Sequence, residues 1–219
     1  MGYFRELPNV DYQDFLSDSN SSQNYLRVKN LFRRNKIRDD LQNIVTIFNK
    51  YEIVDGARPD TIAEELYGSA ELDWVVLMTA GIINVRNEWP LSNRDLYKMA
   101  EKKYGIENLN AVHHYETIEI KDSLERLILP AGKIVDENFQ ISYQDNGLVT
   151  KSGSEVRVAI LNYEYEVIKN NEKTSIYLLK PGYLQQFLND MRDIMIYGKS
   201  SQYVNDTLIR TENTRSIGK

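Results

Sequence analysis

Apolar residues recur at helical spacing in two successive segments between residues 59 and 78. Pro59 fits the first turn of the first helix, where no amide donor is missed, and Gly68 fits its left-handed C-cap. Ser69 can cap the second helix, which is apolar on nearly every side. The second helix must therefore be buried by the rest of the protein or by a partner. The apolar positions are Ile62, Ala63, Leu66 and Tyr67 in the first helix, and Leu72, Trp74, Val75, Val76, Leu77 and Met78 in the second.

The segments on either side of this helical pair have clear boundaries. The Y-E-I-V stretch of residues 51–54 predicts a short strand, which ends at the turn pair Asp55 and Gly56. Downstream, Ser92 can cap a third helix with Asp95 three residues later, an approximate capping box. The packing stripe of this third helix is Leu96, Met99, Ala100 and Tyr104, and Gly105 ends it.

The first 50 residues show no helical period before residue 37. Residues 1–16 carry single apolar residues around Pro8, which predicts an extended arm that gains its order by docking on another surface. Residues 17–24 are polar and predict a flexible stretch. Beyond them, apolar residues at helical spacing predict a helix over residues 37–49. Those positions are Ile37, Leu41, Ile44, Val45 and Phe48.

From residue 111 onward the apolar period changes to two, which predicts a β-rich segment. Pro181 then starts a predicted helix that runs to Gly198, with apolar residues three and four apart. The tail from Lys199 is polar, and we expect it to be disordered or bound to a neighbour. The predicted strands are 114–120, 127–129, 139–143, 156–161, 163–168 and 175–179, with a hairpin loop over Lys169–Lys173 between the last two.

Composition narrows the classes of protein that remain. The 219 residues suffice for one or two compact units. The 27 basic and 32 acidic residues give a net charge of −5 with both signs scattered, so we expect no general attraction to nucleic acid or to an anionic membrane. No segment approaches the roughly 20 apolar residues that span a bilayer, and no signal peptide pattern is present, which predicts a cytosolic protein. The 15 tyrosines suit the half-buried surfaces of an assembly subunit or, equally, a β-rich domain.

The sequence offers no catalytic or cofactor-binding constellation. The absence of cysteine removes disulfides, thiolate metal sites and cysteine nucleophiles. The acidic pairs Asp39-Asp40 and Glu64-Glu65 are adjacent residues whose side chains point about 100° apart on a helix, so they do not face each other across a cleft. His113 and His114 are neighbours on a predicted strand, where adjacent side chains face opposite sides and cannot hold one ion together. We therefore predict a protein that is not an enzyme and that carries no cofactor and no metal.

The tryptophans give a second test of ligand binding. Trp74 lies inside the apolar second helix and Trp89 precedes a proline corner. Both are therefore predicted to be core residues rather than a platform for a sugar ring.

The segment from Tyr51 to Gly105 has the layout of a small LysM-like module, and its text resembles one protein family. Y-E-I-V-D-G-A-R-P-D-T-I-A-E-E-L-Y-G begins at Tyr51, L-D-W-V-V-L-M begins at Leu72, and W-P-L-S begins at Trp89. With weaker matches near both ends of the chain, these motifs resemble the LysM-containing baseplate wedge protein of contractile-tailed bacteriophages, the wedge subunit numbered fifty-three. One departure is Thr79-Ala80-Gly81, where an asparagine is expected, and it weakens any expectation of sugar binding.

The resemblance implies an α+β fold and a structural role. The expected organisation is an N-terminal arm and helix (1–50), a LysM-like βαα module (51–105), a β-rich segment (106–180) and a C-terminal helix and tail (181–219). The expected location is the tail baseplate of the virion, after assembly in the host cytoplasm. The expected partners are other wedge proteins and adjacent wedges around the central hub, with hub or tail-tube proteins as further candidates, and neither nucleic acid nor membrane.

Partner contacts are predicted on the arm, the basic segment near residue 33, the LysM-like module and the C-terminal helix. The candidates are Tyr3, Phe4, Leu7, Phe32, Arg33, Arg34, Arg58 and Phe187. The alternative is a LysM-type peptidoglycan-binding module, which predicts exposed tryptophans. A more distant alternative, a cell-wall hydrolase, requires an acid and base pair that the sequence lacks.

Overall fold

A computed structural model of the chain describes residues 2–14, 25–33 and 45–211. The chain divides into two compact units. The first contains Met1–Ile53, Ala57–Glu88 and Ile176–Lys219, and the second contains Val54–Gly56 and Trp89–Ser175. The architecture is mixed α and β, with several small sheets instead of one large one.

The elements are as follows in chain order. The helices are α1 (Tyr3–Glu6), α2 (Pro59–Tyr67), α3 (Asp73–Thr79), α4 (Val85–Glu88), α5 (Asn93–Tyr104), α6 (Asn162–Glu172) and α7 (Leu184–Met195). The strands are β1 (Asn9–Gln13), β2 (Tyr25–Lys29), β3 (Phe48–Glu52), β4 (Val112–Thr117), β5 (Ile120–Lys121), β6 (Leu127–Leu129), β7 (Ile134–Val135), β8 (Gln140–Gln144), β9 (Leu148–Ser152), β10 (Arg157–Leu161), β11 (Ser175–Leu179), β12 (Tyr203–Asn205) and β13 (Leu208–Arg210). Short 3-10 turns are Val45–Ile47, Ala70–Leu72, Ile106–Asn108, Gly153–Glu155 and Pro181–Tyr183.

The first unit contains a four-stranded sheet with the order β12-β13-β1-β2 and a strand pair formed by β11 and β3. Strand β1 runs parallel to β13 and antiparallel to β2. The second unit contains the sheet β10-β4-β7 and two hairpins, β5-β6 and β8-β9. Its small core is formed by Ile120, Leu129 and Val156, with Ile128, Phe139, Ile141 and Tyr143 packed against it.

The local helix signals of the sequence are confirmed at Pro59, Gly68 and Ser92, whereas the predicted Ser69 cap was wrong. Pro59 occupies the first turn of α2, and Gly68 closes it with φ of 72° while its amide bonds the carbonyl of Glu64. The Ser92 hydroxyl accepts the Asp95 amide at the start of α5. Ser69 makes no capping bond. The Glu64 carboxylate instead accepts the amide of Ala70 at 2.7 Å.

The predicted aperiodic arm was wrong. Residues 3–6 form α1, and residues 9–13 form β1, a central strand of the four-stranded sheet. The predicted disorder of the tail was wrong for residues 203–210, which form β12 and β13 and supply the parallel neighbour of β1. Strands β1 and β13 therefore fold together, because each forms hydrogen bonds with backbone groups of the other.

The predicted helix over residues 37–49 lies largely outside the described residues. Its last part was wrong, because Val45–Ile47 is a 3-10 turn and Phe48 begins β3. The strand predicted over 51–54 lies three residues earlier, at Phe48–Glu52, where it pairs with β11. The polar stretch of residues 17–24 lies outside the described residues.

The predicted strand over residues 163–168 and the hairpin loop over Lys169–Lys173 were wrong, because this segment is helix α6. Its buried residues are Asn162, Glu166 and Asn170, which follow one another at intervals of four. The buried face of this helix is polar, so an apolar period could not reveal it. The other strands predicted between residues 111 and 180 are confirmed within a few residues, as is the helix that follows Pro181.

Residues of the predicted LysM-like segment 51–105 belong to both units. Residues 57–88 lie in the first unit, and residues 54–56 and 89–105 lie in the second. The LysM-like fold of this segment stays a prediction.

Candidate interaction surfaces

Seven of the eight predicted contact residues are described by the structure and fall into three groups. Phe4, Phe32 and Arg58 are exposed, and Tyr3 and Arg33 are half-buried. Leu7 and Phe187 are buried by their own chain, so they offer no open surface in this structure. Arg34 lies outside the described residues. Arg58 pairs with Asp60 at 3.2 Å, and the Arg58 side chain remains largely solvated, so this pair contributes little.

A row of aromatic rings connects three helices of the first unit. Phe187 of α7 stacks on Trp74 of α3 with ring centroids 5.9 Å apart, and Trp74 contacts Tyr3 at 5.7 Å. Tyr3 in turn meets the ring of Phe4 edge to face at 5.7 Å. The row begins in the core and ends at Phe4, which is 66% exposed. Its inner rings hold α1 in place, and its outer ring is available for contact.

Phe32 is 99% exposed and lies in a turn that is held from both sides. The side-chain oxygen of Asn30 accepts the amide of Phe32 at 3.1 Å, while the Asn30 side-chain amide donates to the Tyr197 hydroxyl at 2.8 Å. The adjacent Leu31 is also exposed. Two large apolar side chains are thus presented to solvent by a turn with defined geometry.

The Arg33 side chain caps the C-terminal end of helix α7. Its guanidinium donates to the carbonyls of Ile194 at 2.6 Å and Ile196 at 3.1 Å, at the C-terminal end of α7, and lies over the ring of Tyr197. A cation at this end of a helix is favoured by the helix dipole and by the open carbonyls. Arg33 therefore fixes the turn that presents Phe32.

The four-stranded sheet has an unusual distribution of side chains. The register places Val10 beside Val28 and Tyr12 beside Leu26, with Ile209 next to Val10 on the other side. Because side chains alternate between faces, these residues share one face. We call this the outer face, and its residues are Val10, Tyr12, Leu26, Val28 and Ile209. Leu26 is 56% exposed, and Tyr12 and Val28 are also exposed. This apolar face was missed in the sequence.

The opposite face of the sheet, which we call the polar face, holds a buried carboxylate. Its residues on β1, β2 and β13 are mostly polar, with the buried Leu208 among them. Asp11 accepts from the Arg27 guanidinium, with Nε to Oδ1 at 2.9 Å, and Arg210 lies 3.6 Å from its other oxygen. The hydrogen bond from Arg27 lowers the pKa of Asp11, against the opposing effect of burial. Asp11 therefore remains charged and joins strands β1, β2 and β13.

A second buried carboxylate organises the second unit. Glu166 of α6 accepts from the Lys103 ammonium at 2.6 Å and from the Tyr104 hydroxyl at 2.8 Å. Burial alone raises the pKa of Glu166, but these two bonds outweigh it and the net shift is downward. The hydrogen bond to Glu166 raises the pKa of Lys103. This cluster fixes α5 against α6.

The two histidines meet, contrary to the prediction that they face opposite sides. Their Nδ1 atoms lie 2.8 Å apart, and the His113 ring stacks on Tyr165 at 4.0 Å. His114 also contacts Glu116 through Nε2 at 3.0 Å. Across residues 2–14, 25–33 and 45–211, no group of three or more histidine, cysteine, aspartate or glutamate side chains has an arrangement that could hold a metal ion.

The candidate catalytic and sugar-binding residues have structural roles. Glu64 accepts the amide of Ala70, and Glu65 accepts the hydroxyl of Tyr51 at 3.3 Å. The pair Asp39-Asp40 lies outside the described residues. Trp74 and Trp89 are both buried, which confirms them as core residues and leaves neither ring as an open platform. In the described part of the chain, every helix is too short or too polar to cross a bilayer.

Comparison with known proteins gives two findings. The family described as base plate wedge protein 53 matches residues 7–194 of this chain. The baseplate wedge protein gp53 of Enterobacteria phage T4 is 26% identical over 161 residues, which cover 66% of this chain and 72% of the T4 protein. The family match begins in front of β1 and ends before strands β12 and β13.

Proposed function

Because the chain belongs to the base plate wedge protein 53 family, we propose that it links wedge proteins to one another and joins neighbouring wedges around the central hub during tail assembly. It is a structural protein of the phage virion and is located in the tail baseplate. Its function in this proposal is complete once its contacts with other baseplate proteins have formed.

The observation that carries this proposal is the concentration of exposed apolar side chains between residues 4 and 32. Among the described residues, six of them lie in this short part of the chain: Phe4, Tyr12, Leu26, Val28, Leu31 and Phe32. Exposed apolar surface of this kind is costly in a free subunit and favourable in an assembled one. The surfaces are held by fixed geometry, since Asn30 and Arg33 bond the turn and Asp11 joins the strands. Presented in this way, the apolar groups lose little conformational entropy on binding.

The proposal is tested by mixing the purified full chain with the other wedge proteins of the same phage and following the mixture by size-exclusion chromatography. We expect the chain to elute with at least one of them. The variant Phe32→Ser removes the most exposed aromatic ring among the described residues of the first unit and is expected to weaken this association. Leu148→Ser is a matched control, because Leu148 is 76% exposed on the hairpin of the second unit and is not a candidate.

Failure of the unmodified chain to elute with any wedge protein contradicts the proposal. Equal weakening by Phe32→Ser and Leu148→Ser contradicts the assignment of the contact to the first unit, because both changes remove a similar exposed side chain. Circular dichroism of each variant checks that the fold is retained, as both positions lie outside the core.

A further inference from the structure

The edge of strand β2 that faces away from β1 is the surface of the first unit whose binding partner can be described most closely. Strand β2 lies at the end of the four-stranded sheet, and among the described residues no strand pairs with its second edge. Its register with β1 is uninterrupted over all five residues, from Tyr25 to Lys29. An edge strand of this length without bulge or proline is a template for another strand.

The direction of the backbone groups on β2 follows from its ladder. The amide of Asn30 donates to the carbonyl of Pro8 at 2.9 Å, so it points towards β1. Backbone groups of alternate residues point to opposite edges, so the amide of Val28 also points to β1. The amides and carbonyls of Arg27 and Lys29 therefore point to the open edge.

The charged side chains of β2 that would discourage pairing at this edge are bonded to groups of their own chain. Positive side chains on an edge strand usually discourage a second strand. Here the Arg27 guanidinium bonds Asp11, and the Lys29 ammonium donates to the carbonyls of Leu7 at 2.7 Å and Arg5 at 3.2 Å. Both cationic heads are held by their own chain, which leaves the backbone of the edge open.

The two faces of the sheet specify the side chains of an added strand. On the outer face it would lie next to Leu26 and Val28, which are exposed and apolar. On the polar face it would lie next to Arg27 and Lys29, and the cations of that face outnumber its one carboxylate, Asp11. On strand β1, the residue paired with Arg27 is already acidic, because Asp11 lies directly opposite it. Charge complementarity across strands therefore favours acidic residues there.

We propose that β2 accepts an extended segment of another baseplate wedge protein, in which apolar residues alternate with acidic ones, as an added strand of the sheet. The segment forms backbone hydrogen bonds with Arg27 and Lys29, extends the apolar outer face, and places carboxylates beside the two cations. This inference rests on the proposed structural role and adds the site and the chemistry of the partner.

The test measures amide hydrogen exchange at single residues in the free full chain and in its complex with the co-eluting wedge protein. In the free chain we expect fast exchange at Arg27 and Lys29 and slow exchange at Val28 and Asn30. In the complex, exchange at Arg27 and Lys29 is expected to slow by about tenfold or more, while Val28 and Asn30 remain slow. The two inward amides are the internal control.

A pair of variants tests the same edge by affinity. Arg27→Thr removes the guanidinium and keeps the outward amide, whereas Arg27→Pro removes both. We expect Arg27→Pro to bind the wedge protein roughly tenfold more weakly than Arg27→Thr, because only the proline variant loses the backbone bond. Equal affinities overturn the proposal.

The remaining outcomes show whether the strand that pairs with β2 comes from the same chain, from a second copy of it or from a wedge protein. Protection of Arg27 and Lys29 in the free monomer shows that the chain covers its own edge and overturns the proposal, as does protection that depends only on self-association. Association without a change at these two amides overturns this inference and leaves the proposed function standing. Absence of any association overturns both.

Discussion

Replacing Leu208 with alanine tests whether the tail strand β13 is part of the fold of the first unit. Leu208 is 5% exposed and lies on the face of β13 opposite Ile209. The change removes buried carbon atoms worth about 2 kcal/mol in transfer free energy, and a cavity adds to that cost. Since the sheet is small and can relax around the gap, we expect a loss near the lower end, about 2–3 kcal/mol.

The assay is amide hydrogen exchange at two of the backbone bonds that join β1 to the tail. The Asn9 amide donates to Thr207 at 2.8 Å, and the Thr211 amide donates to Asp11 at 3.0 Å. A loss of 2–3 kcal/mol accelerates exchange at these amides by roughly 30-fold to 150-fold. Val204→Ala is the control, because Val204 on β12 is 45% exposed and its truncation costs less. Equal exchange in the two variants would refute the packing of β13.

Three further predictions concern charges and backbone. In Asp11→Asn, the difference in melting temperature from the unmodified chain is expected to narrow as the pH falls from about 6 to about 3. The pKa of Asp11 is lower in the folded chain than its unfolded value near 4. The charged carboxylate therefore stabilises the fold above about pH 4, and this stabilisation is lost as the pH falls through the folded-state pKa. A constant difference would contradict this. Glu166→Gln is expected to lower the melting temperature of the chain more than Glu119→Gln, since Glu166 is buried between two donors whereas Glu119 forms an exposed pair with Lys121. Equal melting temperatures would contradict the role of the cluster. Gly68→Ala is expected to cost about 1 kcal/mol in urea unfolding because φ is 72°, whereas Gly182→Ala, at a position without positive φ, should cost less. Equal costs would contradict a strain at Gly68.

Elements with local signals were predictable from the sequence. Helices α2 and α5 begin and end at residues whose chemistry is specific to helix ends, such as Pro59, Gly68 and Ser92. The burial of Trp74 was predictable because the apolar pattern of α3 leaves no polar face. These features depend on residues only a few positions apart.

Elements with distant partners were not predictable in the same way. Strand β1 depends on β13, about 200 residues later, and neither segment has enough apolar residues to indicate a strand alone. Helix α6 buries Asn162, Glu166 and Asn170, and the partners of these polar groups are the backbone of Leu91 and Asn108 and the side chains of α5. Polar residues at intervals of four indicate the buried face of a helix only when their hydrogen-bond partners are known.

The candidate surface was predictable in part. Phe4 and Phe32 were identified as apolar residues in a segment without a core pattern, and both are exposed. The outer face was missed because residues 1–16 were predicted as an extended arm and no strand was predicted over residues 25–29, so no face could be assigned. When a strand does alternate in this way, its apolar side is normally the buried one. In this sheet the polar side is the one that holds the buried Asp11, so the usual assignment of faces is reversed.

The central claim is that this chain joins proteins of the baseplate, and an electron cryomicroscopy map of the intact phage tail tests it most directly. We expect each copy of the chain in the baseplate, in contact with proteins of two adjacent wedges, and with an added strand from a partner along β2. A map in which the chain lies outside the baseplate, or in which each copy contacts proteins of a single wedge only, would contradict the account.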